Sequence, residues 1–74
     1  MDLTSVEVGR TYKVKEIKTG DEELNAFLFS LGCYAGEDIT VILRRKSGCT
    51  VAIKNARYNI DPNLAKAIAV EVDE

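Results

Sequence analysis

The chain contains no histidine and only two cysteines, Cys33 and Cys49, in 74 residues. One absence removes both the commonest general base and the commonest metal ligand. Zinc normally takes four nitrogen or sulfur ligands, and ferrous iron favours histidine with carboxylates. Cys33 and Cys49 do not form a C-x-x-C pair, so the simplest reading makes them small apolar residues of the interior. The rival reading makes them weak candidate ligands, joined by carboxylates at a transition-metal site. No serine stands near a base and no glycine-rich loop opens a helix. Neither a catalytic residue nor a cofactor is expected.

Long apolar runs are missing as well. None approaches the roughly 20 residues needed to cross a bilayer. The opening MDLTSVEVGR lacks the basic start and apolar stretch of a signal peptide. A cytosolic location is the expectation, with both thiols free in a reducing compartment. There is no basic excess either: ten Lys and Arg face twelve Asp and Glu, for a net charge of −2. Polyanion binders carry such an excess or a basic stripe, so nucleic acid is not an expected partner. The only compact basic group, Arg44, Arg45 and Lys46, reads most simply as a solvated hairpin tip.

Repeats, low-complexity tracts and linkers are absent too, so residues 1–74 read as a single small domain. Its apolar fraction of 46% and charged fraction of 30% suit a globular chain and argue against disorder.

What is present is a sequence of short elements. Residues 11–19 place Tyr12 and Val14 on one face of a strand. Ile17 then falls three residues after Val14 rather than two, which predicts a β-bulge near Lys15–Glu16. Asp21 is placed as a helix N-cap, with Glu22 and Glu23 at the positive end of the helix dipole. Leu24, Phe27, Leu28 and Leu31 follow at the i, i+3, i+4, i+7 spacing of a core-facing stripe. Gly32 closes this helix, expected over about 21–31, by taking a left-handed conformation.

Tyr34-Ala35-Gly36-Glu37 reads as a turn. A strand from Asp38 then alternates, with Ile39, Val41 and Leu43 on one face and Thr40, Ile42 and Arg44 on the other. Arg45 to Gly48 makes a hairpin connection. The returning strand, Cys49 to Lys54, turns Val51 and Ile53 inward. Asn55-Ala56 is the next expected turn, since Asn tolerates left-handed geometry. A short strand, Arg57 to Ile60, follows. Asp61-Pro62 starts a helical turn of about 61–66, with Asp as N-cap and Pro at the first helical position. Leu64, Ala65 and Ile68 are its inward anchors, and a last strand runs near Ile68 to Val72. About five short strands, one short α-helix and a helical turn amount to a small, mostly β barrel. Closure of the sheet would remove its exposed edges.

This order, and the residues that carry it, resemble the FeoA-like family. The carriers are Leu31-Gly32, Gly36, Ile39-Thr40-Val41, Val51-Ala52-Ile53 and the run Leu64 to Glu71. They cover nearly the whole chain, and all of them are structural. Ala35 stands where the family commonly has Pro, Cys33 where it has an aliphatic residue, and Asn55 where it has glycine. The resemblance implies an SH3-like barrel and a non-enzymatic cytosolic accessory protein of ferrous iron uptake. By the same resemblance its partner is the cytoplasmic part of a FeoB-type iron transporter, and it is not itself inserted in the membrane. Similar domains also end metal-responsive repressors, so a domain that senses iron or zinc directly is the alternative. A homo-oligomer is compatible with either.

Three residues are candidate contacts. Phe29 lies roughly 150° from the centre of the helix stripe, on the outer face. Tyr34, in the loop just after, extends the same patch, and aromatic residues are enriched at interfaces. Ile42 points out of its strand, either to meet a partner or to lie beneath the helix.

Overall fold

The computed structural model describes residues 1–71. Its elements run β1 (Thr11–Ile17), α1 (Glu22–Ser30), β2 (Asp38–Arg45), β3 (Gly48–Ile53), β4 (Ala56–Ile60), α2 (Pro62–Ala67) and β5 (Ile68–Val70). The five strands form one antiparallel sheet in the order β4-β3-β2-β1-β5. The end of the expected last strand, Val72, lies outside the described residues.

The sheet curls around a core of Leu3, Val6, Tyr12, Val14, Leu28, Ile39, Val41, Val51, Ile53, Ile60, Leu64, Ile68 and Val70, with Cys33, Cys49 and Ala65 among them. Alternation along β1 and β3 drives this, because period-two apolar residues share one face of a pleated strand. Tyr12 is the one core residue with a polar end, and its hydroxyl accepts the Glu7 amide proton at 3.1 Å. Burial of its ring therefore leaves no orphaned polar atom.

The expected bulge is present. Val14 pairs with Val70 and Glu16 with Ala69, so Lys15 is the extra residue. A second bulge was not legible in the sequence. Val41 pairs with Val51 but Leu43 pairs with Thr50, which leaves Ile42 unmatched. Beyond it the strand faces exchange, so Leu43, expected inside, stands exposed, and Arg44 pairs with the buried Cys49.

Closure of the sheet is by helix rather than by hydrogen bonds. Among the described residues β4 and β5 do not pair with each other, and α2, which connects them in the chain, packs against β3 and β5. Asp61 caps α2, accepting from the Leu64 amide at 2.7 Å, and Pro62 occupies its first turn as expected. Leu64, Ala65 and Ile68 are all buried. Gly48, which pairs with Arg45 to close the tip of the β2–β3 hairpin, has φ +139°, and a Cβ there would lie 2.0 Å from the Ile60 carbonyl oxygen. Glycine permits that approach of hairpin to strand end.

The helix expectation fails in one respect. Asp21 caps α1 through its carboxylate, bonded to the amides of Glu23 and Leu24. At the other end the Cys33 amide donates to the Leu28 carbonyl at 2.9 Å and the Gly32 amide to the Phe29 carbonyl at 3.0 Å. With Gly32 at φ +91°, this is a Schellman stop. Of the expected core stripe, however, only Leu28 is fully inside, at 1% exposure, and Leu31 is half-buried. Leu24 is 40% and Phe27 50% exposed. Helical spacing says which side chains share a face, not whether anything covers it. Here only Leu28, near the last turn, is fully covered.

Candidate partner-binding site

The C-terminal turn of α1, the loop after it and the β3–β4 hairpin converge on one surface cleft. Its lining includes Phe29, Leu31, Tyr34, Ile53, Lys54 and Tyr58. Phe29 is 64% exposed. It packs on Tyr34 with centroids 4.8 Å apart and planes inclined by 31°, within the range of favourable aromatic pairs. Two of the three candidate contacts are thus brought together. The Schellman stop causes this, since it turns the chain sharply enough to return Tyr34 beneath Phe29.

Lys54 holds the arrangement from the opposite side. Its ammonium bonds the Glu37 carboxylate and lies 5.8 Å from the Tyr34 ring centroid. Glu37 and Tyr34 together hold the Lys54 amine above the ordinary lysine range, the carboxylate being the larger cause. Lys54 also has φ +55°, and the turn is Lys54-Asn55 rather than Asn55-Ala56. The left-handed residue is therefore not the asparagine that the sequence favoured. Tertiary partners for the lysine side chain override the local preference.

Tyr58 is the third aromatic of the cleft, and sequence reasoning missed it. Its signal was available, because Ala56, Tyr58 and Ile60 alternate along β4 and Ile60 is buried. Tyr58 is half-buried and packed against the core. Ile42 does not line this cleft. It stands exposed at the second bulge beside Leu43, uncovered by α1.

Neither cysteine lines this cleft. Both are buried and unpaired in disulfides. Burial pushes the Cys33 thiol up to about 11 and also raises that of Cys49, although Arg44 opposes the latter. The protonated thiol, a poor metal ligand, is the form held at neutral pH. Among the described residues no three of His, Cys, Asp and Glu cluster as metal ligands would. No helix among those residues is long and apolar enough to cross a membrane.

The solved structures that share this architecture are informative. The chain matches the zinc-complexed FeoA of Stenotrophomonas maltophilia, described as a prokaryotic SH3 domain protein, with a TM-score of 0.85 at 17% identity over 96% of this chain and 89% of that one. A second FeoA structure, described as an iron uptake regulatory protein, matches with a TM-score of 0.84 at 24% identity, covering 95% of this chain and 93% of the other. At these identities the likeness shows the fold, an SH3-like barrel. A manganese-dependent transcriptional repressor also matches, at 28% identity and a TM-score of 0.84, but the chain spans only 40% of its length. No curated protein sequence matches the chain. The FeoA domain model matches residues 1–72, and the chain therefore belongs to the FeoA family.

Proposed function

We propose that the domain is a non-enzymatic cytosolic accessory protein of ferrous iron uptake, binding the cytoplasmic part of a FeoB-type transporter by protein–protein contact. Membership of the FeoA family supports the ferrous iron connection. The observation that carries the contact reading is the exposed Phe29 ring packed on Tyr34, an aromatic pair at a cleft that Leu31 and Tyr58 also line. Interface hot spots favour large aromatic groups that lose little conformational freedom on binding. Phe29 and Tyr34 are the contact residues in this reading, and Ile42 belongs to a separate exposed patch with Leu43.

The deciding experiment is a pull-down with the transporter's cytoplasmic domain, comparing the natural chain with F29S. Reduced capture by a folded F29S supports the assignment. Unchanged capture removes this face from it.

A second reading, direct sensing of a transition metal, draws on the likeness to the manganese-dependent repressor. Cys33 or Cys49 would have to serve as ligands, against the protonation that their burial favours.

A further inference from the structure

We propose that the β2–β3 hairpin tip and the start of α2 form a docking cleft for an acidic polypeptide segment carrying an apolar side chain. The surface is separate from the Phe29–Tyr34 cleft, so the proposal stands or falls independently of the transporter reading.

The first ground is charge without an internal partner. Arg10, Lys13, Lys18 and Lys54 each approach a carboxylate within 4.0 Å. Arg44, Arg45 and Lys46 approach none among the described residues, and although Lys15, Arg57 and Lys66 also form no ion pair there, only these three stand side by side, in a chain whose acids outnumber its bases. Three adjacent cations left unanswered in an acidic protein create a local field of the opposite sign to the net charge. Arg44 is also held in place, its guanidinium donating to the Val6 carbonyl at 2.9 Å.

The second ground is shape. All three cations border one small cavity of about 170 Å³, whose other walls are Thr4, Gly48, Cys49, Pro62 and Ala65. No Asp or Glu lines it. The nearby Asp61 carboxylate is turned to the Leu64 amide as the α2 cap. Cys49 and Ala65 are buried, which makes the floor largely apolar, and the glycine-permitted approach of Gly48 to Ile60 keeps hairpin and floor in register. An apolar side chain fits the floor while flanking carboxylates meet the rim, where the planar guanidinium fork binds carboxylates in a bidentate manner. An extended nucleic acid is disfavoured, because three cations at one tip provide no stripe along which to follow a phosphate backbone.

The test uses the intact chain and a fluorescein-labelled peptide with two Glu on either side of one Leu, beside a counterpart with Gln for each Glu. Fluorescence anisotropy at low salt is expected to show saturable binding of the Glu peptide only. Binding should fall at least about tenfold in R45E/K46E and weaken with salt, as exposed charge pairs do. R45Q/K46Q, which adds no repulsion, should fall less but in the same direction, and circular dichroism should show both variants folded. Amide shifts in NMR should move at Thr4, Gly48 and Ala65. Equal binding of the Gln peptide, unchanged binding by both folded variants, shifts centred on Phe29 and Tyr34, or tighter binding of a single-stranded oligonucleotide would each overturn the proposal.

Discussion

The Lys54 ammonium lies 5.8 Å from the centroid of the Tyr34 ring and, through its bond to Glu37, ties the β3–β4 turn to the loop that follows α1. Lys54 also fills the space that a side chain at Gly32 would need, since a Cβ there would approach its Cε to 2.8 Å. One residue therefore links the helix stop, the aromatic pair and a hairpin. The candidate site is shaped as much by this lysine as by the rings.

Substitution of Phe29 separates binding from stability. Phe29 is mostly solvent-facing, so F29S loses its contact with Tyr34 and little else, costing about 0.5–1 kcal/mol. The expected outcome in urea denaturation is a near-natural midpoint, together with weakened capture of the transporter domain.

Leu28 is the one fully buried side chain of α1. L28A removes this anchor and should cost about 2–5 kcal/mol. L24A, at a position 40% exposed, should cost under about 1 kcal/mol. A core-facing stripe would make the two equal, so paired urea midpoints distinguish the arrangements directly.

Two glycines should respond unequally to alanine. At Gly32 the added Cβ meets the movable end of Lys54, so the cost is mainly that of φ +91°, about 1–2 kcal/mol. At Gly48 it meets the backbone oxygen of Ile60 at 2.0 Å, where no side chain can move aside. G48A should therefore unfold at the lower temperature of the two in calorimetry, with the β2–β3 hairpin displaced.

Burial of Cys33 makes stability fall in alkali. Its thiol is raised from 9.0 to about 11, so above pH 9 the unfolded chain releases a proton that the folded one retains. The stabilising contribution is whole below pH 9 and lost progressively toward pH 11. Denaturation midpoints across that window should decline in the natural chain and decline less in C33A. Below pH 9 both thiols should resist a disulfide reagent until urea is added. Anaerobic ferrous iron at micromolar concentration should leave the protein unbound, whereas binding would favour direct sensing through these cysteines.

Local chemistry explains what was legible beforehand. Asp21 and Asp61 cap helices because a side-chain oxygen reaches free amides within three residues. The Lys15 bulge showed as a slip in apolar spacing, and Gly32 stops α1 because a left-handed residue suits glycine. Each of these interactions closes within a few residues, so neighbouring letters suffice to reveal it.

The sequence by itself thus determined the order of elements, the helix ends, most of the inward-facing residues and, through the residues that resemble FeoA, the family. Only the tertiary structure decided which apolar faces were covered. Leu24 and Phe27 share the helical face of Leu28, yet only Leu28 is fully covered. The same holds for the bulge that turns Leu43 outward, for Lys54 in place of Asn55 at the turn, and for Tyr58 in the aromatic cleft. Those outcomes depend on contacts between segments far apart along the chain; the alternation of Ala56, Tyr58 and Ile60 marks the inward side of β4 but not which aromatic groups it meets.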